Sequence, residues 1–139
     1  MSEKPTARPA PQANVYVDTA PFWEAAARRE LVLQYCKDTG RFQHYPRPVS
    51  IYSGSRNIEW RKVAGKGTIY ACTVIRIPGP GLEGRLPLAV ATVELDEGVR
   101  MIANIVESDP ADVAIGRRVE LAWEKLERGY YPAFKLAKG

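Results

Sequence analysis

At 139 residues, the chain has room for one compact domain or two small ones. It contains no uninterrupted apolar run of about 18 residues, which excludes a hydrophobic membrane-spanning helix. Its net charge of +4 permits an anionic partner without demanding one, since a solvated surface explains it as well. The hydrophobic share of 45% is that of an ordinary globular protein. The two cysteines, Cys36 and Cys72, fall in different expected elements and read as reduced thiols, not a disulfide. With no apolar leader at the N-terminus, the expected location is the cytoplasm.

In chain order, residues 1–17 read as a flexible arm, broken by Pro5, Pro9 and Pro11 and lacking a periodic apolar face. Thr19 or Asp18 is placed to cap a helix beginning near Ala20, with Pro21 in its first turn. Phe22, Trp23, Ala26 and Ala27 share one stripe of that helix. Two bulky aromatics on so short a helix call for cover, from this chain or from another subunit. Leu31 to Tyr35 and Arg41 to Tyr45 form a hairpin, Pro46 and Pro48 hold the next link extended, and Ile58 to Lys62 closes the lobe. The segment 18–62 is thus a helix followed by a small ribbon.

From residue 63 to 139 the pattern changes to period two. Ile69, Ala71, Thr73 and Ile75 are expected on one face of the first strand. Ala89, Ala91, Val93 and Leu95 line the second, and Met101, Ala103 and Ile105 the third. Asp96-Glu97-Gly98 reads as a tight hairpin with Gly98 left-handed. Asp109-Pro110 starts a helix of about two turns that Gly116 ends. Val119, Leu121 and Trp123 mark a fourth strand, and Tyr131 to Leu136 a fifth. Three strands, a helix and two strands is the order of a five-stranded OB barrel, whose helix plugs the barrel between strands three and four. The fold class is mainly β.

Inside the ribbon two turns repeat one design: Cys36-Lys37-Asp38-Thr39-Gly40 and Ser50-Ile51-Tyr52-Ser53-Gly54-Ser55. Cysteines at Thr39, Ser50 and Ser53 would complete C-x2-C-x10-C-x2-C, the spacing of a four-thiolate zinc ribbon. Gly40 and Gly54 stand where each knuckle needs positive φ. One thiol and three hydroxyls do not make a zinc site, because zinc prefers sulfur and nitrogen donors. No cofactor is expected, and zinc in particular is not. Its stabilisation, ~10–16 kcal/mol in isolated finger peptides, must come from elsewhere. The candidates are the rings of Tyr35, Phe42, His44, Tyr45, Tyr52 and Trp60, at ~1.5–3 kcal/mol for each one buried, and hydroxyl hydrogen bonds among Thr39, Ser50, Ser53 and Ser55.

The ordered set Phe22-Trp23-Glu24, Leu31 to Cys36, Tyr45-Pro46-Arg47-Pro48, Gly65-Lys66-Gly67-Thr68-Ile69-Tyr70, Leu86-Pro87, Val93 to Gly98 and Ile115-Gly116 resembles the zinc-ribbon and OB-fold family that accompanies thiolase-like enzymes. The likeness spans roughly 20–136, and the chain departs from it in the three missing cysteines. The resemblance implies a non-catalytic accessory subunit of a thiolase-like or lipid-transfer-protein-like enzyme acting on acyl-CoA or acyl-ketide substrates. Such subunits serve carbon–carbon bond formation or cleavage, steroid side-chain degradation and the making of phenolic ketones. The partner would carry the catalytic cysteine and histidines. The expected contact or coenzyme A-binding positions are Phe22, Trp23, Tyr45, Arg47, Arg76, Pro78, Gly79, Pro80, Gly81 and Leu82, the last five in a long loop between the first two barrel strands. Arg47, Arg56, Arg61, Lys62, Lys66 and Arg76 offer charge for coenzyme A phosphates, or simply a solvated face.

Independent chemistry is sparse. The lone histidine, His44, is read as a packed or surface residue and not a catalyst, no Ser-His-Asp set can be assembled, and no glycine-rich loop opens a helix. Two other readings stand beside the accessory subunit. A single-stranded nucleic-acid-binding OB domain would use Tyr70, Arg76, Tyr130 and Tyr131, against which the charge is weak. A free acyl-CoA carrier would bind coenzyme A esters unaided.

Overall fold

A computed structural model describes residues 16–77, 79, 84–126 and 129–138. Most of the expected arm, and Pro78, Pro80, Gly81 and Leu82 of the expected contact loop, lie outside the described residues. Helix α1 (Ala20–Ala27) carries Pro21 in its first turn. Thr19 occupies the cap position, but its hydroxyl is turned back to accept from the Tyr16 amide, not from the helix. The buried stripe is Phe22, Ala25 and Ala26, a helical i, i+3, i+4 set. Ala27, expected on that stripe, is exposed.

Three strands follow: β1 (Val32–Cys36), β2 (Arg41–Gln43) and β3 (Ile58–Lys62). They form an antiparallel sheet in the order β2-β1-β3, with Tyr35 opposite Phe42 and Glu59. Strand β1 is buried on both faces, and its period-two alternation sorts them by chemistry. Leu31 and Leu33 join the hydrophobic core, whereas Gln34 and Cys36 face the knuckles.

The second lobe is a closed barrel of β4 (Lys66–Ile75), β5 (Leu88–Leu95), β6 (Arg100–Ile105), β7 (Arg118–Leu126) and β8 (Gly129–Leu136), ordered β4-β5-β6-β8-β7. Pairing of Lys66 to Thr68 with Arg118 to Glu120 closes the ring, and the one parallel junction joins β6 to β8 at Ile105 and Phe134. Closure leaves no sheet edge unpaired around the barrel. Gly67 sits at a closure point because a Cβ there would lie 2.5 Å from the Glu94 carbonyl oxygen.

Two expectations need correction here. A β-bulge between Ile69 and Ala71 shifts the register of β4 by one. Ile69 points inward, but beyond the bulge it is Cys72 and Val74 that pack against the core, not Ala71 and Thr73. An extra residue reverses every side chain after it. The two-turn helix is also absent: Pro110–Asp112 is a single 3-10 turn. Asp109 does cap it, accepting from the Ala111 amide at 2.9 Å. Val113, in extended conformation after that turn, joins the core instead of a helical plug. One apolar cluster runs from Phe22, Leu31, Leu33 and Val63 into Val93, Leu95, Met101, Ile105 and Phe134, so the two lobes share a core.

Candidate functional site

A groove of about 650 Å³ opens where α1 and the link after β2 meet the barrel. Phe22, Trp23, His44, Tyr45 and Pro46 form one wall, and Ile75, Leu88, Val90, Ile102, Leu126 and Tyr131 line the barrel side. The size and apolar lining are those of a binding cleft. The rings brace each other: Trp23 meets Phe22 edge-on at 5.1 Å and Tyr131 at 5.5 Å, while His44 lies 5.6 Å from Phe22 and 4.2 Å from Tyr45. Burial holds the His44 pKa down to about 4, so the imidazole is neutral at ordinary pH. At the polar end of the groove, Glu124 accepts from Asn104 at 2.7 Å and is ion-paired with Arg85.

The expected contact set divides accordingly. Phe22, Trp23 and Tyr45 come together at this groove, but Phe22 is buried and supports the wall from behind. Tyr45 is exposed, and so is Ile102 on the facing strand. Arg47 and Arg76 are not among the lining residues. Gly79 alone of the five expected loop positions is described, and is partly buried. Of the basic residues, Arg61 is paired with Glu59 and stacked 3.5 Å over Tyr35. The rings proposed for base stacking are also in use: Arg100 covers Tyr70 at 3.6 Å, Arg29 lies 5.4 Å from Tyr130, and Tyr131 packs on Trp23.

The knuckles form the second notable cluster. All four remnant positions converge. Ser50 donates to the Cys36 sulfur at 3.0 Å, the Ser53 hydroxyl lies 3.8 Å from it, and Thr39 also bonds it. Hydrogen bonds from Ser50 and then Thr39 stabilise the thiolate and, against the effect of burial, bring its pKa down to about 7. The hydroxyls are committed elsewhere as well. Ser50 accepts from the amides of Tyr52 and Ser53, and Ser53 donates to Asp38 at 3.0 Å. A tetrahedral four-sulfur zinc site with Zn–S bonds of ~2.3 Å has edges of ~3.8 Å. The Cys36–Ser50 contact of 3.0 Å is a hydrogen bond, not such an edge. Among the described residues, no three His, Cys, Asp or Glu side chains gather to hold a metal. The donor set does not fit zinc.

Sequence reasoning missed two networks. Asp38, read only as a turn residue, accepts from Ser53, Ser55 and Asn57, which pull its carboxyl below the usual range, Ser55 most strongly. Gln34 and Gln43 form a buried amide pair. Gln43 donates to Gln34 at 2.8 Å and to the Val49 carbonyl at 3.1 Å, and accepts from the Ile51 amide at 2.8 Å. Gln34 holds the Arg47 backbone through both its amide and its carbonyl. These bonds fix the link between the knuckles. The visible signal was that both glutamines occupy strand positions, opposite each other across a hairpin.

Fold and cluster together define a class: a short helix and a rubredoxin-like ribbon joined to an OB barrel. Two family models match adjoining segments of this chain, the ChsH2 rubredoxin-like zinc ribbon domain over residues 23–59 and the ChsH2 C-terminal OB-fold domain over residues 60–124. A solved chain described as "Ltp2-ChsH2(DUF35) aldolase" superposes with a TM-score of 0.82 at 34% identity, covering 91% of this chain and 100% of that one. The chain belongs to the ChsH2, or DUF35, ribbon-and-OB-fold family. It is 37% identical over 107 residues to the 3-oxo-4,17-pregnadiene-20-carboxyl-CoA hydratase alpha subunit of Mycobacterium tuberculosis, which is 76% of this chain and 33% of that protein. A probable enoyl-CoA hydratase alpha subunit of Thermomonospora curvata is 38% identical over 87% of this chain and 37% of its own length. This chain therefore spans about a third of those two relatives. A DUF35 domain-containing scaffold protein of Pyrococcus furiosus is 33% identical over 64% of this chain and 65% of its own.

Proposed function

We propose that this chain is a non-catalytic accessory subunit of a thiolase-like or lipid-transfer-protein-like enzyme acting on acyl-CoA or acyl-ketide substrates. One observation carries the reading: the likeness, over 91% of this chain and 100% of that one, to a solved chain described as "Ltp2-ChsH2(DUF35) aldolase". The chemistry within the chain agrees. Its lone histidine is neutral and packed between rings, and among the described residues no hydrogen bond links it to a nucleophile it could activate, as a general base would need. The subunit would brace the partner and shape its acyl channel, with Tyr45 and Trp23 at the groove as contact residues and Phe22 behind them. Arg47, Arg76 and the 78–82 segment would extend that surface. The ribbon works without zinc, because three of its four donor positions are hydroxyls engaged in hydrogen bonds.

Co-expression with a thiolase-like protein encoded beside it tests the assignment. We expect the two to elute as one complex, and carbon–carbon bond cleavage or formation on an acyl-CoA to require both. A chain that stays alone beside every such candidate would end this reading. Metal analysis of the purified chain is expected to find far less than one zinc per molecule, and a firmly held stoichiometric zinc would overturn the metal-free ribbon.

A further inference from the structure

We infer that the Asp38 carboxylate has taken the place of the metal as the centre joining the two knuckles, with the coordination chemistry inverted. The inference rests on the metal-free reading of the ribbon. A zinc ion is a cation that gathers four electron-pair donors. Asp38 is an anion, and an anion gathers hydrogen-bond donors. The side chains that converge on it are donors: the hydroxyls of Ser53 and Ser55 on one oxygen, and the Asn57 amide on the other at 2.7 Å. Asp38 belongs to the first knuckle, and all three donors lie 15 to 19 residues away in and after the second. Each bond therefore crosses between knuckles, as the ion's bonds would.

The residue changes make chemical sense on this basis. Thiolates at the remnant positions would repel a carboxylate beside them. Hydroxyls accept and donate at once, so Ser53 can bond Asp38 while its own oxygen accepts from the Ser55 amide at 3.3 Å. Ser55 in turn accepts from the backbone N–H of Asn57 at 3.1 Å. The same segment closes on the first knuckle through the backbone, where Lys37 donates to the Asn57 carbonyl at 3.0 Å. Ser50, on Cys36, forms a second and smaller link. The carboxylate thus orders a loop that would otherwise have backbone amides facing water and little apolar burial.

Amide hydrogen exchange on the full chain tests the clamp, after zinc content of the wild type has been measured. Asp38→Ala is expected to speed exchange at Lys37, Gly54 and Asn57 by about tenfold or more, while Val93 and Leu95 in the barrel keep their protection. Asp38→Asn, which retains one carbonyl acceptor, is expected to fall between wild type and Asp38→Ala. Adding a chelator to the wild type should change nothing. Unaltered knuckle exchange in Asp38→Ala, or an equal rise in both lobes, would overturn the clamp even in a zinc-free protein. A wild type holding zinc, with knuckles that loosen on chelation, would instead defeat the metal-free reading beneath it.

Discussion

The ribbon and the barrel are held by opposite kinds of chemistry. The barrel closes a ladder of strands around Val93, Leu95, Met101, Ile105, Val119 and Phe134, all at or below 4% exposure. Its stability is mainly apolar burial. The ribbon contributes Leu31 and Leu33 to that core but orders its own knuckles with polar groups: a buried amide pair, a thiol among hydroxyls and a carboxylate with three donors. Arginines take the place of a second hydrophobic layer, with Arg41 4.0 Å over Tyr52 and Arg61 3.5 Å over Tyr35. On the metal-free reading, a lobe this small cannot replace an ion with apolar area it does not possess. It substitutes directional bonds, each modest and each dependent on its neighbours.

That contrast can be broken most forcefully from the barrel side. Phe134→Ala removes a ring with 0% exposure and should cost about 3–5 kcal/mol in denaturant melts, lowering the melting temperature of both lobes together because they share one core.

The next largest effect should come from His44, at the seam. Its folded pKa of about 4 lies below the unfolded value of about 6.5. The unfolded chain therefore binds the proton first as pH falls. Stability should be unaffected above about pH 6.5, decline between there and about pH 4, and be lower by about 3 kcal/mol once both states are protonated. His44→Phe, which keeps a ring against Phe22 and Tyr45, should flatten that part of the stability–pH curve.

Within the ribbon, Gln43→Leu deletes bonds to Gln34, Val49 and Ile51 and leaves buried groups unpaired, at about 1–3 kcal/mol. Heteronuclear NMR should show its disturbance centred on residues 44–51, with barrel shifts preserved. A loss spread evenly over both lobes would deny that the ribbon is organised separately by polar bonds. The smallest effect on stability is expected at the groove's rim. Ile102→Glu changes an exposed side chain and should alter stability by no more than about 0.5 kcal/mol, yet weaken co-purification with a thiolase-like partner. Full retention of the complex would remove this rim from the proposed contact surface.

Gly40 and Gly54 retain the positive φ of the knuckles, at 68° and 74°. Changing Thr39, Ser50 and Ser53 together to Cys should therefore recover tight zinc binding, readable by metal analysis and by thiolate-to-metal absorbance. The same triple change with Asp38→Ala should bind zinc more tightly still, since it removes an anion beside the thiolates.

Much of this molecule was written in local patterns. Strand alternation located β5 and β6, because each buries chiefly one face and a period of two leaves little choice. The glycine-punctuated spacing of Cys36, Thr39, Ser50 and Ser53 located a ribbon lacking three of its four cysteines, since a knuckle's backbone demands do not depend on its ligand side chains. What no window of sequence carried was long-range pairing. The bulge after Ile69 follows from closing the barrel, the 3-10 turn follows from how Val113 reaches the core, and Asp38 became a centre only when residues 53, 55 and 57 were folded against it. Polar side chains have no preferred face until a partner is supplied, whereas apolar ones have only one place to go. The sequence alone therefore determined that a ribbon precedes a barrel and which side of β5 and β6 is buried, and tertiary structure decided which polar groups hold the ribbon together.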